Sequence, residues 1–178
     1  MMENQRKVSL FISTSLDGYI SREDGSIDWL FDDQDYGYEA FYNEVDTVIM
    51  GRHTWEQLQK LGSYYPYEGK EGVVFSRGMS GQPHPKVKFA TEPIEQWLSR
   101  AKQEDKGTIW LVGGAKLVDE CLQAGLVDEI ILSIHPVLLG RGIPLFRGNQ
   151  PENRLELVSH RAYHTGLVQL VYRRPVSG

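Results

Sequence analysis

Apolar positions along this chain change period repeatedly, from runs and alternations to stripes at helical spacing. Runs at Lys7–Ser13, Asp46–Met50, Val73-Val74-Phe75, Val87–Ala90, Ile109–Val112 and Val127–His135 predict strands. Helical patterns lie between them. Tyr38–Glu44 is short; Trp55, Leu58 and Leu61 form a stripe behind a candidate N-cap at Thr54. Ile94, Trp97, Leu98 and Ala101 follow Thr91-Glu92-Pro93, and Leu117, Val118, Cys121 and Leu122 are stopped by Gly125. Near the C-terminus, Leu155–His164 and Leu167–Arg174 alternate on either side of Thr165-Gly166, which predicts a hairpin. Strands alternating with helices imply an α/β fold: a mostly parallel central sheet of about eight strands with flanking helices, the hairpin adding antiparallel pairing. Met1–Arg6 is polar and reads as a loose end, and residues 7–175 read as one domain.

Composition narrows the classes. At 178 residues the chain is long enough to bury one real core. No apolar run is long enough to span a bilayer and no signal-peptide pattern opens the chain, so a cytoplasmic protein without membrane contact is expected. The single cysteine, Cys121, excludes an intramolecular disulfide and lies on an apolar helix face. A net charge of −5 offers no basic stripe for nucleic acid. An anionic ligand must therefore be held by a few local cations and backbone dipoles.

Three strand ends carry such groups: Gly51-Arg52-His53-Thr54, Ser76-Arg77 and Gly113-Gly114-Ala115-Lys116. In a parallel sheet these ends share one edge, where ligands bind. Helix N-termini after glycine present bare N–H groups to a phosphate, although a tight turn alone would also use glycine there. Two such junctions with Arg52 and Arg77 suit a molecule with separated phosphates, such as a 2′-phosphorylated nicotinamide dinucleotide. Neither junction is a G-x-G-x-x-G fingerprint, which argues against a standard Rossmann domain. The long polar segment Arg22–Asp35 holds Ile27, Trp29, Leu30 and Phe31, which either plug a core edge or close over a ligand.

Val48-Ile49-Met50-Gly51-Arg52-His53-Thr54-Trp55-Glu56 resembles a segment of dihydrofolate reductases, Val112-Gly113-Gly114 resembles their glycine turn, and Ser13–Ile20 resembles their mobile loop. Gly114-Ala115-Lys116-Leu117, Ala124-Gly125-Leu126-Val127-Asp128-Glu129-Ile130 and His135-Pro136-Val137-Leu138-Leu139-Gly140 are closer to the reductase domain of riboflavin-biosynthesis deaminase/reductases. The chain lacks the deaminase zinc motif, so the resemblance is to the reductase part. It implies a dihydrofolate reductase-like fold and NADPH as cofactor. Gly113 and Gly114 with the N–H groups of Ala115, Lys116 and Leu117 would hold the diphosphate, helped by Gly51, Arg52 and Thr54. Ser76 and Arg77 would face the 2′-phosphate, and Ile20 the nicotinamide. The resemblance also implies a cis Gly113–Gly114 peptide and pairing into a homodimer through the C-terminal strands.

Folate-reducing members carry an acid early in the helix before the Gly-Arg strand. Asp35 fits that place by an ungapped count, a gapped one puts Gly37 there, and Asp32 and Asp33 are neighbours. Asp17 is a second candidate, with an Asp-Gly turn as the other reading. His53, His135 and His164 are too dispersed for a metal set and read as surface or core residues. The expected activity is reduction of a C=N bond in a pteridine, a ribosylaminopyrimidine or a related heterocycle. The alternatives are a true dihydrofolate reductase and a nucleotide-binding module without turnover.

Overall fold

A computed structural model describes residues 5–62, 65–78 and 84–175. In chain order the strands are β1 (Val8–Ser15), β2 (Tyr19–Ser21), β3 (Val45–Gly51), β4 (Glu71–Phe75), β5 (Val87–Ala90), β6 (Thr108–Gly113), β7 (Glu129–His135), β8 (Ile143–Pro144), β9 (Glu156–Ala162) and β10 (Val168–Arg173). The helices are α1 (Tyr38–Glu44), α2 (Arg52–Lys60), α3 (Ile94–Ala101) and α4 (Ala115–Gln123). Eight strands form one sheet in the order β5-β4-β3-β6-β1-β7-β10-β9, and β2 pairs with β8 beside it. The first six of that order run parallel, and the terminal hairpin β9–β10 is antiparallel. The mostly parallel α/β sheet expected from the pattern is therefore the fold; β2 and β8 are too short to leave a period in the sequence.

Both faces of the central strands are apolar because both are covered. On one side Leu10, Ile49 and Leu111 pack with Leu98, Val118 and Cys121 from α3 and α4. On the other, Val48, Met50 and Trp110 pack with Phe41 and Trp55 from α1 and α2. Full burial of a residue such as Leu98 stabilises the fold by roughly 1.5–3 kcal/mol. Burial also pushes the Cys121 thiol up to about 12, which leaves it unreactive. Among the described residues no helix is long and apolar enough to cross a membrane.

Three expectations need correction. Thr54 is not an N-cap: β3 runs into α2 through one residue, Gly51, so the helix starts at Arg52 and Thr54 lies in its first turn. Leu61 closes α2 as its C-cap and is 84% exposed, off the buried stripe. Arg6 is no part of a loose end, being only 4% exposed; Met1–Asn4 lie outside the described residues. Its guanidinium donates to Gly107 O at 2.9 Å and Thr47 Oγ1 at 2.9 Å, and pairs with Asp46. A cation with several fixed acceptors can be buried where a lone one cannot.

Candidate functional site

The fold delivers the glycine junctions to one place. Gly51 ends β3 and Gly114 follows β6, its neighbour in the sheet. A methyl group built on Gly51 would stand 3.8 Å from Gly114 N and 4.0 Å from Gly113 O. One built on Gly114 would stand 3.5 Å from Thr54 Oγ1. The Gly113–Gly114 peptide is cis, as the resemblance implied. Gly51 caps α2 and Gly114 caps α4, and neither helix has a side-chain cap. The first bond of α4 runs from Val118 N–H to Gly114 O, so the N–H groups of Ala115, Lys116 and Leu117 have no partner inside the helix. Two helix N-termini thus open side by side at the C-terminal edge of a parallel sheet. Their donors and dipoles suit a diphosphate.

The cations divide unequally. Arg52 is turned along its own helix, its Nε donating to Glu56 Oε1 at 2.6 Å. Register Gly51↔Phe75 puts Ser76 and Arg77 on the same edge, one strand further out. Ser76 is buried and spends its hydroxyl on Gly78 O at 2.6 Å. Arg77 is exposed and has no ion pair among the described residues. Lys116 is exposed as well. Ile20, on β2, packs half-buried against the core cluster that holds Leu10, Leu111 and Leu117.

Neither acid candidate lies buried in the cleft. Asp35 is exposed and its carboxylate accepts the Glu39 N–H at 3.0 Å, capping α1 from outside. Asp17 fastens two loops. It accepts the Ser15 hydroxyl at 2.6 Å, Leu139 N–H at 3.1 Å and Gly140 N–H at 2.8 Å. The Ser15 bond, with those two N–H groups, holds its carboxyl below the usual carboxylate range. Such an acid stays ionised at neutral pH and is a poor proton donor.

Three residues that pattern reading passed over form a polar row that runs outward across the sheet from beside the glycine turn. Ser13, Ser133 and Gln169 are register partners on β1, β7 and β10, so their side chains form one row on one face. Gln169 Nε2 donates to Ser133 Oγ at 3.1 Å and to Tyr36 O at 3.0 Å. Tyr36 has a positive φ of 52°, the sole such non-glycine residue among those described. His135 ends β7 and is 2% exposed; its Nε2 accepts the Phe31 N–H at 3.1 Å and Trp29 meets its ring edge-on at 5.3 Å. Trp29 and Phe31 therefore plug the core edge here. Serines on one face of β1, Ser9, Ser13 and Ser15 with Phe11 between them, were the available signal for a polar row.

This architecture, with its paired glycine junctions, is that of the dihydrofolate reductase-like superfamily. Within it the chain belongs to the RibD C-terminal domain family, whose model matches residues 6–169. It is 41% identical over 173 residues to the uncharacterized protein YwjB of Bacillus subtilis, covering 96% of this chain and 99% of that one. A crystal structure of a "putative riboflavin biosynthesis protein" from Shewanella sp. PV-4 superposes with a TM-score of 0.85 at 26% identity, over 96% of this chain and 99% of that one. The deaminase/5-amino-6-(5-phosphoribosylamino)uracil reductase of Thermotoga maritima shares the fold, with a TM-score of 0.75 at 18% identity. There the match covers 96% of this chain and 57% of the bifunctional protein.

Proposed function

We propose that this chain is an NADPH-dependent reductase acting on a C=N bond of a ribosylaminopyrimidine, of the 5-amino-6-(5-phosphoribosylamino)uracil type, or a closely related heterocycle. The observation that carries the reading is the pair of uncapped helix N-termini at Gly51 and Gly114, within contact of one another and one strand from Arg77. Their N–H groups hold the diphosphate, with Thr54 beside Gly114. Arg77 holds the 2′-phosphate, and Ile20 forms an apolar wall for the nicotinamide. When bound, NADPH supplies the hydride. The chain's part is to bring the nicotinamide carbon and the imine carbon of the opened ribosylamine into contact and keep bulk water from between them. Water, rather than Asp17 or Asp35, is assigned the proton, since one carboxylate is held ionised and the other caps α1.

The absence of a buried carboxylate beside the row, among the described residues, favours this substrate over dihydrofolate. The same reading includes a homodimer. Every residue of β9 is exposed, Leu157 and Val158 at 51% and 50% among them, on the edge strand of the sheet. The test of function is NADPH oxidation followed by absorbance with the uracil substrate and with dihydrofolate. Turnover of the uracil is expected. Turnover of dihydrofolate alone would overturn the substrate class, and tight NADPH binding without oxidation of either would leave a binding module.

A further inference from the structure

We propose that Ser13, Ser133 and Gln169 form the specificity edge of the site and read the lactam, a ring N–H beside a ring carbonyl, of a planar pyrimidinone. The inference rests on the reductase reading and deepens it by naming what selects the ring. Leu10 pairs with Leu111 on β6, which ends at Gly113, so Ser13 stands just past the end of β6, beside the glycine turn. A ring lying over this row would reach the proposed nicotinamide place at its Ser13 end.

The donor and acceptor pattern is fixed by the fold. Gln169 Nε2 must face the Tyr36 carbonyl, which can only accept, so the amide orientation is set. Its Oε1 has no hydrogen-bond partner among the described residues and remains an acceptor. Ser133 Oγ accepts from Gln169, leaving its own proton to donate. Acceptor and donor are held on neighbouring side chains joined by the Nε2 bond, Oε1 standing 3.6 Å from where a methyl group on Gly37 would be, and together they offer the complement of the two lactam groups. The Ser13 hydroxyl, also without a partner among the described residues, is placed for the next ring substituent. Phe11, two residues back on the same face, stacks on Phe41 at 4.5 Å and closes the row on the α1 side. An amidine edge, an amino group beside a ring C=N nitrogen, would want a carboxylate here instead. The row has none.

The test uses the full chain with Ser133→Ala, Gln169→Leu and Ser13→Ala. Calorimetry measures NADPH binding, then binding of 5-amino-6-(5-phosphoribosylamino)uracil to protein loaded with NADP+. Loss of one neutral hydrogen bond should weaken the uracil about tenfold in Ser133→Ala and Gln169→Leu. Affinity for NADPH should stay within about twofold, which also shows that the variants are folded. Uracil affinity unchanged in both variants would overturn the specificity edge while leaving the reductase reading intact. A wild type that binds NADPH but not the uracil compound would overturn it too. A wild type that binds neither would overturn the reductase reading itself.

Discussion

Arg77→Ala should convert a cofactor preference into near indifference. The side chain is exposed and has no ion pair among the described residues, so its removal leaves no buried group unpaired. The neighbouring groups cannot replace it. Ser76 gives its hydroxyl to Gly78, and Arg52 is paired with Glu56. On the proposed reading the 2′-phosphate contact rests on one guanidinium, and a hydrogen bond to a charged group contributes roughly 1.5–3 kcal/mol, or about 10- to 150-fold in affinity. Exposure to solvent and salt pulls the figure to the lower end, about tenfold at 0.15 M salt and more at 0.01 M. The assay is titration of wild type and variant with NADPH and with NADH at both ionic strengths. Affinity for NADPH should fall and grow insensitive to salt, while affinity for NADH holds. If both fall together, Arg77 supports the diphosphate or the fold. If wild type shows no preference for NADPH, this strand end is not the phosphate site.

Other consequences can be measured directly. Arg6→Met breaks a buried pair with Asp46; because Asp46 keeps 35% side-chain exposure the loss should sit near the low end of about 3–5 kcal/mol, lowering Tm by roughly 6–12 °C. A shift below about 2 °C would refute that role for Arg6. Burial holds His135 below its ordinary value, so the unfolded chain binds its proton more readily. Stability from this group is complete above about pH 6.5 and is lost as pH falls from there through the folded value, and His135→Gln should flatten that slope in urea titrations; equal slopes would refute it. Asp17→Ala orphans three donors, and hydrogen exchange at Leu139 and Gly140 should accelerate, whereas unchanged exchange would show that the Asp17 fastening is dispensable. Light scattering at micromolar protein should give the mass of a dimer, and a monomer mass would sink the pairing at β9.

Elements with a strong period were legible in the sequence, and α1 falls at the residues expected. So were the glycine junctions, because strand, glycine and helix follow one another without a gap. What escaped depends on partners far along the chain. Arg6 looks like any polar N-terminal residue until Gly107 and Asp46 are brought around it. Ser133 and Gln169 are unremarkable singly, lying on two strands, and become a row only when register is known. Thr54 misled because its residue type favours capping, yet Gly51 already supplied the turn. Asp17 was legible as a turn former; its hold on Leu139 and Gly140 was not.

The position of β1 in the strand order governs when this chain can fold. The first strand made lies between β6 and β7, and Ser9 meets Glu129 across 120 residues of sequence. Until β6 leaves the ribosome β1 has no neighbour, and until β7 follows, one of its edges stays unpaired. Few local contacts offset the loop closure, so the domain should refold slowly for its size, and truncation before Glu129 should expose β1 to aggregation. The hairpin arrives last and carries Gln169, which makes the proposed specificity edge the final part of the molecule to form.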